Sequence, residues 1–294
     1  MNAYIIYKRP HHDRIDFMAD DVRAVPIRPL PVVPAPLLDV SGIGARLPTP
    51  LTSFIDRERE LGAVVALLRR DDTRLVTLIG PAGVGKTRLA VKVARSLDAA
   101  FDDGVAFIPL APVKEPDLAP VRMAQMLGIR DDGQPAAARL QTALRDQHLL
   151  VILDNFEQVL DAAPLLTDLL GACPELRFLV TSRARLNLSG ERAVAVAPLA
   201  LPDPDAAPAP ERLLESAAVR LFVERAQAAD AEFALSAANA AAVATICRRL
   251  DGLPLAIELA AARSASLPPP ELLAGLTARL QLLSSGPRDA PARL

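Results

Sequence analysis

Two patterns of apolar residues alternate between residues 47 and 200. Runs of consecutive aliphatic residues predict strands buried on both faces, at residues 75–79, 104–110, 149–153 and 177–181. Apolar residues that recur every three or four positions predict helices, at residues 61–68, 89–94, 118–127, 136–147 and 157–170. Strands that alternate with helices predict an α/β fold with a doubly wound parallel sheet.

After residue 214 only the helical spacing continues. It predicts four helices, at residues 216–229, 238–250, 254–265 and 269–280. Proline-rich stretches precede and follow the α/β part, and proline favours extended linkers. The predicted organisation is a proline-rich tail or linker with a possible strand at 3–7, an α/β domain, a linker, a small all-α lid and a C-terminal tail, at residues 1–46, 47–200, 201–213, 214–285 and 286–294.

Composition narrows the choice of partners. The chain has 294 residues, with 33 Lys and Arg against 35 Asp and Glu, and a net charge of −2 gives no electrostatic signature of nucleic-acid binding. Cys173 and Cys247 belong to no metal-binding motif, and the three histidines lack ligand spacing. We therefore expect a cytoplasmic protein with reduced cysteines, with no direct nucleic-acid or membrane contact and no metal site made only of protein ligands.

A phosphate-binding motif joins the first predicted strand to a helix. Residues 80–87 match G-x-x-x-x-G-K-[ST], in which backbone N–H groups surround phosphate oxygens at the start of a helix. Lys86 would contact the terminal phosphates, and Thr87 would coordinate Mg²⁺. The predicted ligands are ATP or ADP with Mg²⁺; the alternative is a glycine-rich turn that binds nothing. The predicted phosphate loop comprises Gly80, Pro81, Ala82, Gly83, Val84, Gly85, Lys86 and Thr87.

Polar residues at the ends of two later strands complete the predicted site. Asp154 follows the strand at 149–153 and would reach Mg²⁺ from the side opposite Thr87. The alternative is that Asp154 or Asn155 only caps the next helix. Arg183 follows the strand at 177–181 and would contact the terminal phosphate. The alternative is that Arg183 only faces solvent. Because parallel strands end at one sheet edge, all these groups are predicted to meet there.

Five motifs in this order resemble those of the STAND class of P-loop NTPases, which includes the NB-ARC proteins. They lie at residues 54–60, 80–87, 149–157, 180–183 and 252–256. The match is closest to the ATPase module of bacterial LuxR-like and SARP-like transcriptional regulators, and it covers about residues 47–285. The resemblance implies a nucleotide-dependent switch in which ATP and ADP favour different orientations of the helical lid.

The resemblance also implies roles for residues outside the phosphate loop. Arg57, Arg88 and Asp154 would help to bind the nucleotide, and Pro254 would pack near it from the lid. The sequence departs from the family at Asp56, where relatives carry glycine, and at Asn155, where many relatives carry a second acid.

The departure at Asn155 affects the expected rate of ATP hydrolysis. Asn155 can orient a water but cannot accept its proton, so Glu157, in the first turn of the predicted helix, is the nearest substitute base. Asn155, Glu157 and Arg183 are the candidate catalytic residues, and hydrolysis should be slow.

Members of the resembled family continue beyond the lid into a winged-helix domain and repeats. The sequence stops at Leu294, and the expectation is a truncated regulator or a remnant of one. A protein partner or an oligomer is expected in the ATP state. Two alternatives remain open: a turnover NTPase that acts on a separate substrate, and an interaction module with a vestigial loop.

Overall fold

The apolar runs form the centre of a parallel sheet. The computed structural model describes residues 47–204 and 209–278, which lie within one compact unit. In these residues five parallel strands pair in the order β2-β3-β4-β1-β5. Their bounds are Leu75–Ile79 (β1), Val105–Pro109 (β2), Leu150–Asp154 (β3), Arg177–Ser182 (β4) and Glu191–Ala195 (β5). The predicted tails at 1–46 and 286–294, and the possible strand at 3–7, lie outside the described residues.

The central strands are buried because helices cover both faces of the sheet. All five residues of β3 are buried, as are the first four of β1, which agrees with their continuous aliphatic sequence. Strand β5 was not predicted. Its sequence Glu-Arg-Ala-Val-Ala has only a short apolar stretch, and its residues are half-buried or exposed at the sheet edge, where charged side chains are common.

Helices of the α/β part lie on both sides of this sheet. Their bounds are Glu58–Leu68 (α1), Lys86–Leu97 (α2), Ala119–Met126 (α3), Ala136–Leu144 (α4) and Ala163–Ala172 (α5). Short 3₁₀ turns occur at Asp98–Ala100, Pro116–Leu118, Phe156–Gln158 and Leu160–Ala162.

The continuous helix predicted over 157–170 is wrong. The structure has two 3₁₀ turns there, and α5 begins only at Ala163. A helix across the whole segment would place Pro164 in its interior, where proline cannot donate the backbone hydrogen bond. In α5 Pro164 instead occupies the first turn, where no such bond is needed.

The remaining helices form a second, separate core. Their bounds are Pro210–Leu213 (α6), Ala217–Ala229 (α7), Ala240–Arg249 (α8), Pro254–Arg263 (α9) and Pro269–Ala278 (α10). Helix α6 lies in the segment predicted as a linker, where Pro210 occupies the first helical turn. Phe222, Ile246, Ile257 and Leu272 are among the buried residues of this core. The prediction of a parallel α/β fold followed by helices is confirmed.

Candidate nucleotide-binding site

The phosphate loop connects the end of β1 to the start of α2. Gly83 has φ of 75°, and a Cβ atom on it would lie 3.0 Å from the Cβ of Leu255. A Cβ on Gly80 would lie 2.6 Å from the carbonyl oxygen of Val196. Both glycines are therefore needed, because a side chain at either position would push the loop away from its neighbours.

Lys86 is held against this loop. Its Nζ atom donates to the carbonyl oxygens of Gly80 and Pro81 at 2.8 and 3.0 Å, and the side chain is buried. The ammonium group thus lies within the loop that leads into α2, whose first backbone N–H groups are not used within the helix. Together they offer a positive charge and several donors to an anion, as phosphate recognition requires.

Asp154 faces the phosphate loop from the end of β3. Its Oδ1 atom accepts hydrogen bonds from Thr87 Oγ1 at 2.6 Å and from Thr181 Oγ1 at 2.7 Å. Asp154 is buried, and the side chain of Asn155 makes no capping hydrogen bond to the following 3₁₀ turn. Neither residue therefore acts as the helix cap that was the alternative interpretation.

Sequence reasoning missed the role of Thr181. This fully buried residue of β4 also accepts the backbone N–H of Asn155 at 3.0 Å. Strands β3 and β4 are paired neighbours, so a hydroxyl at the end of one strand can orient a carboxylate at the end of the other. The signal was the polar Thr181 directly after an aliphatic run.

Glu157 pairs with Arg183 across the same sheet edge. Glu157 Oε1 lies 3.3 Å from Arg183 Nε and accepts a long hydrogen bond of 3.5 Å from Asn155 Nδ2. Asn155 has φ of 65°, which directs the chain into the 3₁₀ turn that contains Glu157. The predicted first turn of an α-helix at Glu157 is therefore wrong, and the nearby charge is a guanidinium rather than a helix dipole.

Two buried oxygens in this group have no hydrogen-bond partner within the described part of the chain: Asn155 Oδ1 and Glu157 Oε2. A cavity of about 570 Å³ adjoins the group and is lined by Gly83, Arg183 and Leu255, among others. Buried polar atoms are normally satisfied. These oxygens therefore indicate a place where water or a ligand with donor groups can be held.

The lid contacts the phosphate loop through the start of α9. The backbone N–H of Leu255 donates to the carbonyl oxygen of Gly83 at 3.1 Å. Pro254 occupies the first turn of α9 and lines a small, largely apolar pocket with Ile55, Val84 and Leu221. Pro254 thus lies beside the loop, and its packing against a nucleotide stays a prediction.

The segment of residues 47–57, here called the leading segment, also reaches the loop. Arg57 is buried, and its Nη2 donates to the carbonyl oxygen of Val84 at 3.0 Å. Asp56 has φ of 55°, a conformation that favours glycine, and its carboxylate pairs with Arg220 of α7 at 2.7 Å. Asp56 therefore adopts a glycine-like turn and forms an ion pair with the lid.

Arg88 was predicted to bind the nucleotide, but its guanidinium is engaged elsewhere. Nη1 lies 3.0 Å from Glu258 Oε1 in α9. Nη2 donates to the carbonyl oxygens of Thr52 and Ser53 in the leading segment at 2.8 and 2.6 Å. The Arg88 side chain thus connects the lid and the leading segment to α2 rather than joining the phosphate loop.

These features define a P-loop NTPase fold. Residues 69–192 are similar to the family model described as AAA domain. A chain in the solved structure of Drosophila ORC bound to DNA superposes with a TM-score of 0.51 at 16% identity, covering 89% of this chain and 67% of that one. A likeness at that identity concerns the fold alone.

The chain is also related to regulatory proteins. An uncharacterized protein of Mycobacterium tuberculosis is 40% identical over 242 residues, which are 82% of this chain and 58% of that protein. Another M. tuberculosis protein, named as an HTH-type transcriptional regulator, is 41% identical over 222 residues, or 75% of this chain and 24% of the regulator. Regulatory protein AfsR of Streptomyces coelicolor is 31% identical over 240 residues, or 76% of this chain and 22% of AfsR. The chain thus spans just over half of the first relative and about a quarter of the regulators.

Residues 47–204 and 209–278 contain no group of three or more His, Cys, Asp or Glu side chains that could hold a metal ion. None of the helices in those ranges is long and apolar enough to cross a membrane.

Proposed function

We propose that this chain is an ATP- and ADP-binding regulatory switch of the STAND type, which acts as the nucleotide-binding part of a cytoplasmic transcriptional regulator of the LuxR or SARP kind. One observation carries the proposal. The amide of Leu255, in the lid, is hydrogen-bonded to the carbonyl of Gly83, in the phosphate loop. A nucleotide that moves the loop must therefore also change the contact that holds the lid.

In this proposal the triphosphate lies along the phosphate loop and the N-terminus of α2. Lys86 exchanges its loop carbonyls for phosphate oxygens, with which it forms charge-assisted bonds. Thr87 and Asp154 would hold Mg²⁺, because their oxygens lie 2.6 Å apart and Mg²⁺ prefers oxygen ligands, with the remaining positions taken by phosphate and water. When bound, the ion would neutralise charge on the phosphates.

In this proposal, Asn155, Glu157 and Arg183 account for slow hydrolysis. The carboxylate of Glu157 is the candidate proton acceptor, and it is engaged in an ion pair with Arg183. A carboxylate is a weak base, and Asn155 beside it cannot accept a proton. A terminal phosphate that attracts Arg183 would release Glu157 from the pair, so the resting pair restrains hydrolysis until ATP is present.

The switch is tested by measuring the distance between the lid and α2. The substitutions Ser96→Cys in α2 and Glu271→Cys in α10 change exposed residues. The native Cys173 and Cys247 are buried, so spin labels can be attached selectively to the two new cysteines. Distance distributions should differ between ADP and a non-hydrolysable ATP analogue with Mg²⁺. They should coincide for both nucleotides in a Lys86→Ala background.

Identical distributions with both nucleotides bound would exclude the switch. Steady turnover of many ATP per second would instead support an enzyme that acts on a separate substrate. A chain that binds neither nucleotide would be an interaction module with a vestigial loop. In the ATP state we propose a protein partner or self-association, which light scattering with each nucleotide would detect.

A further inference from the structure

A single carboxylate of the lid lies between two arginines. Glu258 Oε1, in α9, is 3.0 Å from Arg88 Nη1 of α2 and 3.0 Å from Arg225 Nε of α7. Arg225 is buried, and the side chains of Glu258 and Arg88 are less than one third exposed. An ion pair in this environment is screened less by salt than one on the open surface.

The leading segment joins the same group. The carbonyl oxygen of Ser53 accepts from Arg88 Nη2 at 2.6 Å and from Arg225 Nη2 at 3.1 Å. Arg225 Nη1 also pairs with Glu224 at 2.7 Å, and the hydroxyl of Ser53 donates to Glu224. The group therefore balances two guanidinium groups against two carboxylates.

The pKa of Glu224 reflects this arrangement. Burial alone would raise the pKa, but the hydrogen bonds from Ser53 and Arg225 outweigh burial and hold the pKa of Glu224 below its usual value. Both acids are needed for charge balance; Glu258 pairs with Arg88 of α2, whereas Glu224 pairs with Arg225 within α7. Loss of the Glu258 charge would leave Arg88 and Arg225 facing each other without a shared counter-ion.

Glu258 is also one helical turn from the contact with the phosphate loop. Leu255 and Glu258 are three positions apart in α9, and Arg88 directly follows Lys86 and Thr87 at the start of α2. The backbone bond from Leu255 to Gly83 and the ion pair from Glu258 to Arg88 thus attach the same turn of α9 to the same end of α2.

We propose that Glu258 is the positioning residue that holds α9 closed over the phosphate loop, so that its ion pair with Arg88 sets how long a nucleotide stays bound. The statement about bound nucleotide rests on the function proposed above, whereas the closure of α9 does not. Glu258 forms ion pairs with Arg88 and Arg225, and it acts through Arg88 and through the position of Leu255.

The first measurement uses the full chain without nucleotide. In Glu258→Gln, hydrogen exchange of peptides that contain Leu255 should accelerate about tenfold, within the usual range of coupling between sites, while peptides of β3 keep wild-type rates. The matched control is Asp72→Asn, which makes the same chemical change in the exposed ion pair with Arg70. Asp72→Asn should leave exchange at Leu255 unchanged.

The second measurement is the dissociation of fluorescent ADP in the presence of Mg²⁺. Glu258→Gln should accelerate dissociation about tenfold, and Arg88→Gln should do nearly the same. The double variant should add little to either single change, because both remove one interaction. Glu258→Asp keeps the charge on a shorter side chain and should give an intermediate rate, and it serves as the test if Glu258→Gln fails to fold.

The outcomes separate the two proposals. Wild-type exchange at Leu255 in both Glu258 variants would overturn the positioning role, as would additive effects of Arg88→Gln and Glu258→Gln on ADP dissociation. A wild-type chain that binds no ADP would overturn the proposed function, and the role of Glu258 in closing α9 would then be decided by the exchange at Leu255.

Discussion

Thr181 donates a 2.7 Å hydrogen bond from its hydroxyl to the carboxylate of Asp154. Both residues are buried, and they lie near the ends of neighbouring parallel strands, Asp154 as the last residue of β3 and Thr181 as the last but one of β4. Thr87 donates to the same oxygen of Asp154, so two hydroxyls from different elements fix the orientation of one carboxylate. The candidate Mg²⁺ ligand is therefore held in place before a nucleotide arrives.

Thr181→Val tests this arrangement with little change in shape. The variant should lose about 1 to 3 kcal/mol of unfolding free energy, because the buried N–H of Asn155 is left without an acceptor, and it should bind ATP with Mg²⁺ more weakly. Urea unfolding and calorimetry measure the two effects. The control is Thr142→Val, which removes an exposed hydroxyl in α4 and should change stability by less than about 0.5 kcal/mol.

Lys86→Ala should remove most nucleotide binding. The change deletes a charge-assisted contact to phosphate worth about 1.5 to 3 kcal/mol, or roughly 10 to 150-fold in affinity. Calorimetry with ATP and Mg²⁺ measures the loss. Lys92→Ala, at an exposed position of the same helix, is the matched control, and equal affinities for the two variants would contradict the role of Lys86.

Cys247 should make the protein less stable in alkali. Burial raises the pKa of this thiol from 9.0 to about 12, so above pH 9 the thiol ionises in the unfolded chain before it does so in the folded one. The raised pKa therefore stabilises the fold below pH 9, and this contribution is lost as the pH rises toward 12, by about 1.4 kcal/mol per pH unit.

The comparison with Cys247→Ala isolates that contribution. From pH 9 to pH 10 the wild type should lose about 1 kcal/mol more unfolding free energy than the variant, in which this group is absent. Cys173, whose pKa burial also raises, is present in both proteins, so its effect cancels. Parallel pH profiles for the two proteins would show that Cys247 is accessible to solvent.

Local sequence patterns predicted the fold well where one pattern dominates. Strand β3 has four aliphatic residues followed by Asp154, and all five are buried. Strand β5 begins with Glu191 and Arg192 and has only a short apolar stretch after them, so it was not predicted. The interrupted segment before α5 was also missed, because helical spacing outweighed the single signal of Pro164. Edge strands and short turns depend on neighbours in space more than on their own periodicity.

The candidate site likewise has a part that local sequence predicts and a part that it does not. A contiguous motif made the phosphate loop predictable, and the rule for parallel strand ends made Asp154 and Arg183 predictable as neighbours of the loop. The contacts that distinguish this chain join residues far apart in sequence: Arg88 pairs with Glu258, 170 positions later. No spacing rule links such residues, so the ion pair between Arg88 and the lid becomes evident only in the folded structure.

The last prediction concerns the chemistry of Glu157. Single-turnover ATP hydrolysis should be slow in the wild type and slower in Glu157→Gln, which keeps the size of the side chain but cannot accept a proton. Glu157→Gln should still bind ATP, because no residue of the phosphate loop is changed. Arg183→Gln is a useful comparison, since it removes the ion pair at Glu157 while keeping the carboxylate.

Asn155→Asp should increase the hydrolysis rate, for a reason that the geometry supplies. Asn155 Nδ2 lies 3.5 Å from Glu157 Oε1, so the variant places a second carboxylate beside Glu157. Unlike the amide of Asn155, the new carboxylate can itself accept a proton from water. If Glu157→Gln retains the full single-turnover rate, Glu157 is not the proton acceptor. If Asn155→Asp hydrolyses ATP no faster than the wild type, the lack of an acid at position 155 is not the cause of slow hydrolysis.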